Sequence, residues 1–288
     1  MSIAAGISTG LFYKHDLIES LELIKLSGFQ NIEIWGGPGK NGEYIHYRWH
    51  RPEYTQELAI HLQRLELKVF SLHAPYYNEL DISDLNDHKR SFAVKEIQKT
   101  AQILKRLDGK TLVIHPAVKE FNLGDLRHKQ QRIAQCKKSL SEILIVTQEL
   151  GLKVAIETLL PHILGGQIEV LQELINSYDK NLLGICFDTS HVHLWPGTNL
   201  VTVLEKLADR IITFHISDNY GHYDDHFPPG DGTIAWPIFF ETLSRINYQG
   251  VVTLEVLNNS KPLDSELILP QLRKKIEAYL EKINTRQG

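Results

Sequence analysis

Short runs rich in apolar and β-branched residues recur along this chain, separated by longer stretches in which apolar positions return every three or four residues. The runs are Ile3–Ser8, Asn31–Trp35, Lys68–His73, Thr111–His115, Lys153–Glu157, Leu183–Asp188, Ile211–His215 and Val251–Glu255, and each reads as a strand. The clearest intervening helix is His88–Leu107, with apolar residues at 92, 94, 97, 101, 103, 104 and 107 that line up on one face. Ile133–Leu150, Gln167–Ser177 and Glu266–Ile283 repeat that pattern. Gly28, Gly109, Gly151 and Gly250 stand where helices end before the next strand, and glycine suits the left-handed position that closes a helix.

Eight strand signals alternating with helices predict a parallel sheet, and eight units is the number that closes a (β/α)₈ barrel. One TIM-barrel domain is therefore expected across residues 1–288. An open doubly wound sheet would call for a GxGxxG turn; the GGPG run at Gly36–Gly39 has a different spacing and opens directly on no helix signal. No linker, low-complexity tract or internal repeat interrupts the series. The least regular stretches, Gly36–Arg51 and Asp218–Gly232, each follow a strand, which places them at the face where barrels carry their active sites.

Composition narrows the class. With 42% apolar residues in 288, the chain can bury a sizeable core, and 23% charged residues of mixed sign argue against global disorder. A formal net charge of −4 removes the strongly basic footprint of a general nucleic-acid binder. Cys136 and Cys186 are too few for a disulfide framework and suit a reducing cytoplasm. No basic segment leading into an apolar run is seen at the N-terminus, and no stretch approaches the roughly 18 apolar residues of a membrane span.

The 14 histidines are the unusual feature, because several fall at strand ends. Strand three ends in SLHAPY with His73, strand four in LVIHP with His115, and strand five in VAIET with Glu157. Strand six ends in CFDTSH with Asp188 and His191, strand seven in TFHISD with His215 and Asp218, and strand eight in TLEV with Glu255. The loop after strand seven adds Asp224, Asp225 and His226. A single histidine in such a place is usually a satisfied polar residue. Six consecutive strands ending in an imidazole or carboxylate converge on one barrel mouth, and Glu157, Asp188 and Glu255 would repel one another there without a cation. Oxygen and nitrogen donors without thiolate suit zinc, manganese, cobalt or iron. Asp218 and Asp225 are weaker candidates that loop solvation also explains. Glu33 is expected either at the mouth, against substrate, or paired with a basic residue. Trp35, Trp195 and Trp236 are read as substrate walls or as packing, His162, His193 and His222 as flanking surface residues, and Cys186 as a small apolar core residue. No dedicated phosphate cradle is seen beyond Lys119.

These motifs together resemble the xylose isomerase-like TIM-barrel superfamily, which holds sugar isomerases and epimerases and also endonuclease IV. HAPY, IHP, IET, FDTSH, HISD, the DxHxxxGxG pattern of Asp224–Gly232 and the last-strand Glu255 carry the resemblance over nearly the whole chain. The resemblance to the sugar enzymes implies one divalent ion held by Glu157, Asp188, His215 and Glu255. The resemblance to endonuclease IV implies two or three zinc ions. His73, His115 and Glu157 would hold one, Glu157 would bridge to the second, and His191, Asp224 and His226 would hold the third. GIST at Gly6–Thr9 and NIEIWGGPG at Asn31–Gly39 follow the sugar enzymes, as the second resembles their Glu-ending second strand. IHPAVKE and IETLLPH likewise depart from the DNA enzyme.

The expected activity is thus isomerisation or epimerisation of a sugar, keto-polyol or sugar phosphate through an enediolate. Glu157 and Glu255 would move the proton, and His191, Glu33 and Trp35 would contact a small carbohydrate substrate. The alternative is a multi-zinc phosphoester hydrolase, with abasic DNA or a small phosphoester as substrate.

Overall fold

A computed structural model describes residues 3–37, 46–120, 124–257 and 264–284. Residues 38–45, including half of the GGPG run and half of the irregular 36–51 stretch, lie outside the described residues.

The strands are β1 (Ala4–Ser8), β2 (Asn31–Trp35), β3 (Lys68–His73), β4 (Thr111–Ile114), β5 (Lys153–Glu157), β6 (Leu183–Asp188), β7 (Ile211–Ile216) and β8 (Val251–Leu254). They pair in sequence order and close into a parallel barrel, with Ala4 of β1 opposite Val251 of β8. Period-two alternation explains both faces. Ile32, Leu72, Leu112, Val154, Phe187 and Phe214 point outward into the helical shell and are at most 1% exposed. The opposite parity faces the lumen, where Val113, Ala155 and Cys186 form a separate small cluster below the polar strand ends.

The described helices are α1 (Leu17–Leu26), α2 (Pro52–Arg64), α3 (Asp87–Arg106), α4 (Leu126–Glu149), α5 (Ile168–Ile175), α6 (Thr189–His193), α7 (Leu200–Leu207), α8 (Trp236–Arg245) and α9 (Ser265–Asn284). Local chemistry sets their starts. Asn86 caps α3 by accepting from the His88 and Lys89 amides at 3.0 and 3.2 Å, and Pro52 opens α2 where its missing N–H costs nothing. The long α4 begins at Leu126, seven residues before the Ile133 read from periodicity, because Asp125 caps a polar first turn. Two of the four helix-closing glycines take the left-handed conformation, Gly28 (φ 87°) and Gly151 (φ 68°). Before Gly109 and Gly250 that role falls instead to Asp108 (φ 54°) and Asn247 (φ 55°), short polar residues that tolerate it.

Two register slips matter for the site. Between β2 and β3 the pairing jumps from Ile32↔Val69 to Glu33↔Ser71, and between β6 and β7 from Ile185↔Ile211 to Cys186↔Thr213. Bulges of this kind re-aim side chains. The second slip sets His215 directly across from Asp188.

Candidate metal centre

The C-terminal strand ends surround a cavity of about 480 Å³, lined by His73, Tyr76, Tyr77, Asn78, His115, Val118, Glu157, Leu159, Leu160, Ile163, His191, Asp224, His226, Glu255 and Leu257. Glu157 and Glu255 of this lining meet Asp188 and His215, which lie behind it, with one ligand atom of each within 4.8 Å of the others. His73, His115 and Glu157 form a second such group, and His191, Asp224 and His226 a third. The nine residues singled out in the sequence therefore meet in three adjoining groups, with Glu157 shared by two.

Five of the nine side chains are held from behind. A carbonyl oxygen only accepts, so the ring nitrogen facing it carries the proton. His73 donates from Nδ1 to Ala74 O at 2.8 Å and turns Nε2 to Glu157 Oε2, also at 2.8 Å. His191 donates from Nδ1 to Thr158 O at 2.8 Å and faces Asp224 Oδ2 with Nε2 at 3.3 Å. His226 donates from Nδ1 to Glu255 O at 3.0 Å and points Nε2 at Asp224 Oδ1, 3.2 Å away. Asp188 uses Oδ1 to cap α6, accepting from the His191 amide at 2.7 Å, which leaves Oδ2 toward the centre. His215 alone of these rings is held from behind by an ionisable side chain: Nε2 lies 3.0 Å from Glu33, and Nδ1 lies 3.0 Å from Glu255 Oε2 and 3.2 Å from Glu157 Oε1.

The loop after β7 depends on Asp218. Its buried carboxylate accepts from the amides of Asn219, Gly230 and Ile234 and from Trp236 Nε1, at 2.7–3.1 Å. The two glycines of the DxHxxxGxG pattern follow from this. Gly230 has φ 91°, and a Cβ on Gly232 would lie 2.4 Å from Asp218 Oδ1. His226 itself sits at φ 49°, a strained position for a non-glycine residue. Asp218 is thus the organiser of the loop that presents Asp224 and His226, and both it and Asp225 stand outside the three groups.

Other expected contacts fall elsewhere. Glu33 is fully buried beneath His215 and does not line the cavity. Trp35 is 4% exposed, packs edge-on against Tyr13 and Tyr76, and is absent from the lining. Trp195 and Trp236 are buried as well; Trp195 donates to Leu159 O at 2.8 Å and so supports the wall from behind. The aliphatic wall, Leu159, Leu160, Ile163 and Leu257, and the Tyr76–Asn78 rim were not singled out from sequence. Tyr76 lies one turn of chain past His73, and its ring sits 4.4 Å from that of His115. Lys119 pairs with Asp84 at 2.7 Å, His162 with Glu120 at 3.2 Å, and His193 with Thr233 Oγ1 at 3.0 Å; His222 is exposed.

Without a cation the groups neutralise one another. Burial acts against ionised Glu157, but the charges of His215 and His115 hold its carboxyl well below the usual range. Glu255 is similarly held down by His215 against burial. Burial raises Asp188 to about 6. His191 is pushed well above its ordinary value against burial by Asp188 and Asp224, and His226 to about 10 chiefly by Asp224. Burial wins at His115 and lowers it. Four buried carboxylate oxygens here still lack a hydrogen bond: Glu33 Oε1, Asp188 Oδ2, Asp224 Oδ1 and Glu255 Oε2. Buried acceptors are rarely left so. All-oxygen-and-nitrogen donors with free lone pairs turned to common centres fit divalent metal.

Comparison with known proteins agrees with this architecture. An uncharacterised protein of Methanocaldococcus jannaschii, MJ1311, is 27% identical over 97% of this chain and 90% of its own length. The 3-dehydro-D-guloside 4-epimerase of Escherichia coli is 24% identical over 87% of this chain and 90% of its own. A protein of Acholeplasma laidlawii named "Probable endonuclease 4" is also 24% identical, over 62% of this chain and 64% of its own. The crystal structure of a D-tagatose 3-epimerase-like protein superposes with a TM-score of 0.82 at 25% identity, covering 100% of both chains. Residues 21–279 match the family described as xylose isomerase-like TIM barrel, and the chain belongs to it.

Proposed function

We propose that this protein is a divalent-metal-dependent isomerase or epimerase of a sugar or keto-polyol. The observation that carries the proposal is the convergence of Glu157, Asp188, His215 and Glu255, two of which line a cavity large enough for a sugar. Similarity to an E. coli epimerase and to a tagatose epimerase-like structure supports the same chemistry.

Those four residues would hold the ion. When bound, a divalent cation supplies Lewis acidity toward an α-hydroxy carbonyl and so acidifies the adjacent C–H. The chain supplies the rest. Glu157 and Glu255 come from strands on different sides of the barrel, and both carboxyls are held ionised. For inversion one carboxylate accepts the proton from the carbon beside the carbonyl, while the other, having first taken up a proton from solvent, gives it to the opposite face; for isomerisation the carboxyl that took the proton returns it to the neighbouring carbon as the hydroxyl proton shifts between the two oxygens. Asn78, Tyr76 and Tyr77 offer hydrogen bonds to substrate hydroxyls at the rim, while Leu159, Leu160, Ile163 and Leu257 exclude water from the carbanion-like species.

The test is proton exchange. Manganese-loaded protein incubated in deuterated solvent with a panel of ketoses and inososes is expected to exchange the α-proton of at least one, seen by NMR. Absence of exchange across the panel contradicts the proposal.

A second proposal, multi-zinc phosphoester hydrolysis, is favoured by one observation: the two histidine-rich groups that flank the central one. Zinc held by His73, His115 and Glu157 and by His191, Asp224 and His226 would supply water activation and positive charge toward a phosphate. Cleavage of an abasic-site oligonucleotide or a small phosphodiester by zinc-loaded protein, with two or three ions per chain, would favour it; one ion and no cleavage would remove it.

A further inference from the structure

Glu33 belongs to none of the three ligand groups and lines no part of the cavity, yet it is a fully buried carboxylate in direct contact with one of them. Its depth explains this. It is the third residue of β2, level with Ser71, whereas the ligand His73 is level with Trp35 at the strand end. The register slip after Ile32 sets this level. Glu33 therefore sits one inward-facing layer below the cluster. There its two oxygens both lie 3.0 Å from His215 Nε2, and Ser71 Oγ donates to Oε2 at 2.7 Å. On the far side of the same ring, Nδ1 faces Glu255 Oε2 at 3.0 Å, Glu157 Oε1 at 3.2 Å and Asp188 Oδ2 at 3.9 Å.

Three other histidines of the cluster, His73, His191 and His226, are anchored by backbone carbonyls. At His215 an ionisable side chain takes that place. A carboxylate accepts only, so it fixes the proton on Nε2 and frees the Nδ1 lone pair. It also adds a full negative charge behind the ring, which a carbonyl dipole does not, and so raises the ring's power as a ligand. Glu33, Ser71 and His215 are all fully buried, so bulk solvent does not reach this contact.

We infer that Glu33 is a positioning residue for the metal centre, locking His215 with Nε2–H toward the barrel floor and Nδ1 toward Glu157, Asp188 and Glu255. The inference rests on the metal-centre proposal above and not on which substrate is turned over.

The experiment measures zinc affinity by competition with a chromophoric chelator, and the His215 ring nitrogens by long-range ¹H–¹⁵N NMR of zinc-loaded, histidine-labelled protein. Wild type is expected to show metal on Nδ1 and a proton on Nε2. Glu33→Gln and Glu33→Ala are expected to weaken zinc binding by roughly 10- to 100-fold, the range for partners of metal-bound histidines, and to shift the Nε2 resonance. Ser71→Ala, which keeps Glu33 but removes its brace, is expected to give a smaller loss in the same direction, and decides the matter if the Glu33 variants do not fold. Zinc affinity within twofold of wild type with an unchanged His215 spectrum, zinc attached through Nε2, or no zinc uptake by wild type each overturns the inference. Failure of the sugar-isomerase proposal alone shows differently: no proton exchange on any substrate, with both zinc measurements intact.

Discussion

The two histidine-rich wings of the cluster are built in different ways. His73 and His115 stand at the ends of β3 and β4, with the barrel itself as their support. His191, Asp224 and His226 hang on the short helix α6 and on a loop whose shape depends on the buried Asp218. Their electrostatics differ in parallel. The strand wing shares one carboxylate, Glu157, between two rings: it raises His73 against burial, while burial keeps His115 below its ordinary value. The loop wing has its own carboxylate: Asp188 and Asp224 push His191 up, and Asp224 chiefly pushes up His226. A rigid scaffold thus supplies one wing directly, while the other is a loop device added to it, stabilised by ion pairs when no cation is present.

The largest effect is expected where the wings meet. Glu157 serves the central group and the strand wing together, so Glu157→Gln is expected to lower kcat by roughly 10²–10⁴-fold and to reduce the metal content of both. Paired kinetics and metal analysis check this. An effect on kcat with metal content unchanged would separate base from ligand.

Asp218→Ala is expected to break the comparison from the loop side. It strands three buried donors and the part-buried Gly230 amide, so a stability loss of about 3 kcal/mol or more is expected by chemical denaturation. Any ion held by His191, Asp224 and His226 should be lost, while one held by the strand wing stays. Equal loss from both wings would contradict the division drawn here.

Proton linkage should separate them next. His226 in the metal-free protein is raised from 6.5 to about 10, so its contribution to stability is full below pH 6.5 and is lost as pH rises through 10. Metal-free protein is therefore expected to lose a few kcal/mol over that window, and metal-loaded protein to lose much less, because the cation replaces the proton. Thermal melts with and without chelator make the measurement. Far from the site, buried His46 is lowered to about 4 by burial, which gives the opposite slope: stability falls as pH drops from 6.5 through 4, with or without metal.

The smallest effect is expected at Lys119→Ala. This residue ties the β4 loop to Asp84 of the β3 loop, but the strand wing does not depend on loops. A loss of about 1 kcal/mol or less, with metal binding unchanged, is expected by denaturation and titration.

The sequence made these two kinds of construction unequally visible. The strands were legible because alternation and β-branching are local, and their bounds agree to within a residue. His73, His115, Glu157, Asp188 and Glu255 were legible because each falls at or next to a strand end, and topology then brings strand ends together. Helices α1 and α8 were marked only by the glycines following them, although Pro237 near the start of α8, like Pro52 at the start of α2, was an available sign. What stayed hidden was depth and long-range capture. Glu33 looks like a mouth residue until its mid-strand level, set by a register slip with β3, places it beneath His215. Asp218 looks like a spare ligand beside His215, because nothing local reveals that amides 12 and 16 residues away will converge on it. Of the two readings of the tryptophans, substrate wall or packing, their burial and absence from the cavity lining favour packing.

The central claim, that these residues hold a divalent cation, is tested most directly by anomalous diffraction from crystals soaked in manganese or zinc. The account predicts a peak enclosed by Glu157, Asp188, His215 and Glu255, with any further peaks at the two flanking groups. Fully soaked crystals without a peak among those four residues would contradict it.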